Sequence, residues 1–342
     1  MESGQMVAVF GAYGHTGQFV VEQLRERGYT PLLAGRDASK LHAMALSRPG
    51  VDIRQATVDD PASLDRALSG AAAVINCAGP FAVTSSPVIE AALRAKVPYV
   101  DVAAEIEALI DVFDQFTDSA RDTVVVPAMA FYGGLGDLLA TVALGDWATA
   151  DEAHIAYGLS SWHPTNGTRA TVRTSQQRRA GKGARYRGGK LEYHSEPSTT
   201  QEWRFPNPIG TQTVINEFTM ADVFTFSQHV AVPEVRTYMS AIAVDDLVAP
   251  DTPAPTATDE RGRSSQVFLV DAIVRSGSQE RRVVGHGQDI YAVTAPLAVE
   301  AVHRILTGHT KTAGLATAGE MFDAPDFLRS LSAHISVETI QK

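Results

Sequence analysis

In the first 130 positions the apolar residues gather into short continuous runs, and between the runs they recur at helical spacing. Residues 7–10 form the first run. Gly11, Gly14 and Gly17 interrupt it, and Phe19, Val20, Val21 and Leu24 then share one helical face up to Gly28. Further runs at 31–34, 51–56, 73–76, 99–102 and 124–127 read as strands, and the stretches 41–46, 64–68, 87–95 and 105–120 read as helices. Strands that alternate with helices in this way predict right-handed βαβ units on a parallel sheet. Beyond about residue 150 the pattern becomes one of alternation. Segments 154–159, 168–174, 201–205, 223–230, 235–244, 267–274 and 281–286 read as strands of a mainly antiparallel sheet, with Ser276-Gly277-Ser278 as a hairpin turn. Residues 249–265, rich in Pro, Thr and charge, read as a long exposed connection, and 295–306 as a last helix ending near Gly308.

The expected fold class is therefore α/β, with three parts. Residues 1–130 form an N-terminal Rossmann domain on a parallel sheet. Residues 131–286 form a second α+β domain, for substrate and dimerisation, that contains the mainly antiparallel sheet. Residues 287–342 return to the first domain.

The glycine turn is the strongest chemical signal. A buried strand, a tight glycine turn and a helix N-terminus aim backbone N–H groups and the positive end of a helix dipole at one point, which suits a pyrophosphate. Gly11, Gly14 and Gly17, with Tyr13, His15 and Thr16 between them, are thus expected against a dinucleotide. The end of the second strand selects which one. An NAD site places a carboxylate there, whereas an NADP site needs a cation for the 2′-phosphate. Arg36 holds that position and can grip a phosphate bidentately, with Lys40 one helical turn on. Asp37 is read as the cap of the following helix. Because ligands of such sheets lie at the carboxyl ends of the strands, Asp59, Cys77, Ala78, Gly79, Pro80, Phe81, Asp101 and the segment after Pro127 are expected at the same crevice.

Composition narrows the picture. The formal charge of -10 disfavours nucleic acid and anionic membranes as partners. The one cysteine, Cys77, excludes an intrachain disulfide and agrees with a reducing, cytoplasmic setting. No apolar stretch approaches bilayer length, so no membrane insertion is expected. The histidines lie too far apart in sequence for a metal site, and none is expected.

Several local patterns coincide in order: Phe10-Gly11-Ala12-Tyr13-Gly14-His15-Thr16-Gly17, Ala34-Gly35-Arg36, Asn76-Cys77-Ala78-Gly79-Pro80-Phe81, Tyr99-Val100-Asp101 with Glu105, Gly133-Gly134 before Asp137, and Gly287-Gln288-Asp289-Ile290-Tyr291 near the end. Together they resemble the saccharopine dehydrogenase-like oxidoreductases, in particular their trans-acting enoyl reductase branch. The resemblance implies an NADP(H)-binding domain, a second domain over the nicotinamide end, and hydride transfer to a C=C or C=N bond (or a carbonyl). The amino-acid-binding residues of true saccharopine reductases have no match in the middle of the chain, which disfavours saccharopine as substrate.

Hydride chemistry also needs a proton. Tyr99, Asp101 and Glu105 are the candidate proton-transfer groups, and each has a structural alternative as sheet residue, ribose or helix anchor, or helix-start carboxylate. Tyr132, Trp162, Arg169 and Arg173 are the candidate substrate contacts. Cys77 reads as packing rather than as a nucleophile. The basic segment 173–190 reads either as a mobile lid over an anionic or carrier-bound small-molecule substrate or as a solvated flexible loop. Tyr186 and Lys190 have the spacing of a short-chain dehydrogenase pair, but Gly188-Gly189 between them argues against the required helix. A non-catalytic NADP(H)-binding, redox-sensing protein and a homodimer built on the second sheet stay open.

Overall fold

The computed structural model describes residues 4–340. The first domain follows the alternation: β1 (Met6–Phe10), α1 (His15–Glu26), β2 (Thr30–Gly35), α2 (Ala38–Leu46), β3 (Asp52–Gln55), α3 (Pro61–Leu68), β4 (Ala73–Asn76), α4 (Phe81–Ala95), β5 (Tyr99–Asp101), α5 (Ile106–Phe116) and β6 (Val125–Val126). All pairings among these strands are parallel, in the order β3-β2-β1-β4-β5-β6. That order reverses between β1 and β4, and the crevice opens at such a reversal. Caps mark the helix starts: Asp37 accepts from Lys40 N at 3.1 Å and Asp60 from Ala62 N at 3.1 Å. Helix α4 begins at Phe81, earlier than the apolar spacing implies, and runs through Pro87.

An irregular turn at Phe131–Leu135, with Tyr132 and Gly133 outside helical geometry, leads into α6 (Gly136–Leu144). The second domain then comprises β7 (Glu152–Leu159), α7 (Asn166–Arg178), β8 (Gly183–Arg187), β9 (Lys190–His194), β10 (Thr200–Arg204), β11 (Thr211–Asn216), α8 (Asp222–Thr225), β12 (Glu234–Ser240), α9 (Ala241–Val248), β13 (Val267–Ser276) and β14 (Gln279–Gln288). The chain closes with α10 (Thr294–Leu306), α11 (Ala318–Met321), α12 (Ala324–Ser330) and β15 (Ile335–Ile340). The nine-stranded sheet runs β10-β11-β12-β7-β13-β14-β15, with β8 paired to β12 and β9. Only β12 with β7 is parallel among the pairings described; the rest are antiparallel.

Four expectations in this half are corrected. Segment 168–174 is helix, not strand: its β-branched residues sit behind Thr165, whose hydroxyl accepts from Thr168 N at 3.0 Å and starts α7. Segment 223–230 is α8 and a 3-10 turn at Phe226–Gln228, because its apolar run is buried against neighbours on all sides. The end of the strand expected at 235–244 is instead the start of α9, since β12 stops at Ser240. The C-terminal segment touches both sheets. Residues 314–316 hydrogen-bond to Val125 at the edge of the first sheet, through Val125 N to Gly314 O at 3.0 Å and Ala316 N to Val125 O at 3.1 Å. Strand β15 instead extends the second sheet beside β14. One hydrophobic core runs from Val7 and Val9 through Phe131 and Tyr157 to Ile335, so the two sheets are not packed independently.

Asp101, at the end of β5, ties the floor of the crevice together. Wholly buried, its carboxylate accepts from Tyr99 Oη (2.7 Å), Ser85 Oγ (3.2 Å), Ala103 N (3.0 Å) and Ala128 N (2.8 Å). Ala128 has a positive φ of 55°, a conformation that a side chain disfavours and that this bond helps to hold. Removing the acceptor leaves two buried amides without partners, so Asp101→Ala is expected to lower stability by about 2–4 kcal/mol. Urea unfolding checks this; a loss under about 0.5 kcal/mol would show that the loop does not depend on this carboxylate.

Candidate functional site

The first domain holds a cradle for a dinucleotide. Gly11 has φ +84°, and a Cβ there would lie 2.9 Å from Ala78 Cβ. At Gly17 a Cβ would lie 2.3 Å from the Gly11 carbonyl oxygen, so α1 can press against the turn only with glycine. No side chain caps α1, unlike α2 and α3, and its first turn has no acidic residue. Its leading amides are thus left for an anionic ligand.

A cavity of about 1160 Å³ opens above this turn. It exceeds the space that a single small ligand needs and has room for a dinucleotide with a second molecule. The carboxyl end of every strand of the first sheet contributes to its wall: the glycine turn after β1, Arg36 after β2, Asp59 after β3, Cys77 to Phe81 after β4, Glu105 after β5 and Tyr132 after β6. The other wall comes from the second domain, with Trp162, Thr168 and Thr171 near α7, Lys182 and His194 of the β8–β9 hairpin, and Val244, Leu247 and Val248 of α9.

The arginine expected to read a 2′-phosphate lies in the cavity wall. Arg36 is exposed at the cavity, and its guanidinium has no hydrogen bond or ion pair among the described residues. Lys40 stands 5.5 Å from the centre of the Tyr13 ring, and Asp37 is occupied as the α2 cap. His15 packs its ring edge-on against Phe19 (5.4 Å) and Tyr291 (5.2 Å). Burial holds this imidazole below its ordinary pKa, with the charge of Asp289 opposing. Burial pushes the Cys77 thiol far up, so it is not a thiolate nucleophile.

The three proton-transfer candidates separate. Tyr99 and Asp101 lie beneath the cavity rather than in its wall, bonded to each other, and Tyr99 also accepts from Asn76 Nδ2 at 3.2 Å. Glu105 does line the cavity. It is 2 % exposed and precedes α5, and its Oε2 accepts from Ala82 N at 3.2 Å at the start of α4. Burial pushes its carboxyl up to about 7, against the opposing pull of the Thr171 hydroxyl and the α4 amides.

Of the substrate candidates, Tyr132 and Trp162 reach the cavity as a pair with ring centres 5.2 Å apart. Arg169 and Arg173 do not. Arg169 bonds the carbonyls of Ala249 (3.2 Å) and Thr252 (2.9 Å), which anchors the long connection, and Arg173 is on the exposed face of α7. The basic segment is not a flexible loop but the end of α7 and a hairpin whose turn is Gly188-Gly189 at φ 60° and 75°, and Arg179 and Lys182 between them border the cavity. Three of its arginines are held by carboxylates: Arg178 by Asp111 (2.7 Å) and Arg179 by Glu107 (3.0 Å), both distant in sequence, and Arg185 by the nearby Glu192 (2.6 Å) and Glu196. Tyr186 and Lys190 fall on the two strands of this hairpin, so no helical pair exists.

Tyr291 is a residue that the chemical reading missed. Its hydroxyl meets Trp162 Nε1 (3.2 Å) and Thr168 Oγ1 (2.9 Å) and donates to the His163 carbonyl (3.2 Å), so it joins α7 and Trp162 to the closing segment. Thr171, Lys182 and His194 were missed as individuals as well; for Lys182 the only signal was the basic run.

Fold and cradle together define a dinucleotide-binding α/β protein with a second domain closing over its crevice. Residues 7–126 match the family model of the saccharopine dehydrogenase NADP binding domain. A saccharopine dehydrogenase-like oxidoreductase of Bos taurus is 32% identical over 134 residues, 34% of this chain and 31% of that protein. A probable mitochondrial saccharopine dehydrogenase-like oxidoreductase of Arabidopsis thaliana is 30% identical over 142 residues, 36% of this chain and 31% of the relative. The matches thus span under a third of the length of these relatives. Apo saccharopine dehydrogenase (L-Glu forming) of Saccharomyces cerevisiae shares the fold over 99% of this chain and 100% of its own, with a TM-score of 0.68 at 13% identity. The first domain is accordingly similar to the saccharopine dehydrogenase NADP binding domain, a match that supports NADP(H) as its nucleotide. No helix among the described residues is long and apolar enough to cross a membrane.

Arg36→Ala is expected to weaken NADPH binding by about 1.5–3 kcal/mol and leave NADH nearly unchanged. Calorimetry with both nucleotides checks this; equal losses would remove Arg36 from 2′-phosphate recognition.

Proposed function

We propose that the chain is an NADP(H)-dependent oxidoreductase that reduces a C=C, C=N or carbonyl group of a small molecule held between the two domains. The observation that carries this reading is a set of unmet hydrogen bonds in the cavity wall. His15 Nε2, Glu105 Oε1 and Tyr132 Oη are buried without a hydrogen-bond partner, and all three residues line the cavity between the domains. Native interiors rarely leave such groups unpaired, so a ligand in the cavity is the natural partner for these three.

Gly11, Gly14, Gly17 and the first amides of α1 hold the pyrophosphate, Arg36 and Lys40 the 2′-phosphate, and the loops after β4, β5 and β6 face the nicotinamide half. When bound, the cofactor supplies a hydride, and the chain supplies position and a proton. Glu105 is the group suited to move that proton. A carboxyl titrating near 7 holds a proton at neutral pH yet releases it readily, which an ordinary surface carboxylate does not do. Phe81, Trp162, Val244 and Leu247 make the substrate side apolar, and Val83 and Val248 extend that surface to the mouth. The resemblance to the enoyl reductase branch and the homodimer expected from the second sheet belong to this proposal as well.

As a general acid Glu105 acts in its protonated form, so kcat/KM for reduction should be level below its pKa and fall as pH rises through about 7. The measurement is NADPH oxidation against a panel of conjugated ketones, enals and imines. Glu105→Gln should lower kcat by about 10²–10⁴-fold and remove that limb while NADPH still binds. A limb unchanged in the variant would take the proton from Glu105 and give it to another group.

A further inference from the structure

Resting on the reading just given, we infer that the Tyr132 hydroxyl reads an acceptor atom on the substrate, and that the substrate is an apolar molecule whose reducible bond is, or is conjugated to, a carbonyl or imine. Tyr132 sits in the loop between β6 and α6, on the half of the sheet that faces the nicotinamide. Two buried aspartates fix this loop at both ends. Asp101 holds Ala128 N at 2.8 Å, and Asp222 holds Gly133 N at 3.3 Å, and both of these residues have positive φ, 55° and 90°. Asp222 is itself anchored by Tyr157 Oη at 2.7 Å. Gly136 has to be glycine, because a Cβ there would overlap the Asp222 carboxylate. Such heavily determined backbone turns accompany sites where a side chain must be aimed.

The side chain aimed here is boxed in by aromatic rings. Phe131, Tyr157 and Trp162 stand 4.7, 5.1 and 5.2 Å from the Tyr132 ring centre. A phenylalanine would fill the same space with no polar group left over. The tyrosine instead keeps a hydroxyl that has no partner in the protein, on a residue 7% exposed at the cavity wall. An unpaired buried hydroxyl is costly, so a ligand that brings an acceptor is favoured and an isosteric ligand without one is rejected. Trp162 beside it offers a flat face for a conjugated, planar group. The acceptor atom of such a group is the one that gains electron density as the adjoining bond is reduced, so recognition there also favours the reaction.

The test is calorimetric binding of two probes to the NADP⁺-loaded protein: benzylideneacetone, and the hydrocarbon in which a methylene group replaces its oxygen. Wild type should bind the ketone at least about fivefold more tightly. Tyr132→Phe should bring the ratio close to one by losing ketone affinity without losing hydrocarbon affinity, a pattern that general disruption of the pocket would not give. NADP⁺ affinity should be the same in both proteins, which shows the variant folded. Equal binding of the probes by wild type, a ratio retained in Tyr132→Phe, or no binding of the ketone would overturn the inference. Failure of the oxidoreductase reading would appear separately, as a wild type that takes up no NADP⁺.

Discussion

The buried carboxylate of Asp101 is the interaction on which the rest of the architecture depends. A charge taken out of water is tolerated only when donors surround it, and here they come from β5, from α4 and from two loops. Satisfying it brings together the carboxyl ends of β5 and β6 and fixes the loop after β6 in a left-handed turn at Ala128. The cavity floor beside the ends of β5 and β6 is thus built around one carboxyl group that never meets solvent. Desolvation raises its pKa while the Ala128 and Ala103 amides oppose the rise, and it bears on the cavity through the groups it positions rather than by lining it.

The nucleotide half rests on a different constraint, the absence of side chains. Gly11 and Gly17 let the turn, α1 and the Ala78 loop approach more closely than any Cβ would permit, and the uncapped α1 amides remain for the phosphates. Rigid, pre-placed donors of this kind lower the ordering cost of binding. The second domain closes the opposite side through specific contacts: Tyr291 against His15 and the α7 threonines, and Arg178 and Arg179 against the carboxylates of α5. Cofactor and substrate would then share a volume bounded by two domains with a common core.

What was legible in the sequence follows from how local the physics is. The parallel sheet, the glycine turn, Arg36 and the Asp37 cap depend on spacing within about 30 residues, so pattern reading found them. The character of 168–174 was not legible, because β-branched residues favour a strand until Thr165 supplies a cap and the cavity a partner face. Nor was the order of the basic hairpin, since Asp111 and Glu107 lie far from Arg178 and Arg179 along the chain. The difference between Asp101 and Glu105 was equally hidden. Both are carboxylates within a few residues of the end of β5, and only the folded chain shows one beneath the cavity and the other in its wall. Tyr291 is a case of the opposite kind, since its segment carried a family resemblance with no chemistry to explain it.

The central claim is that one NADP(H) molecule spans the cavity from the Arg36 loop to the loops after β4, β5 and β6. Amide hydrogen exchange with and without saturating NADPH tests it most directly. The account predicts added protection in 11–17 and 36–40 together with 77–81, 105–106 and 128–133. Protection confined to the first two segments, or absent throughout, would contradict it.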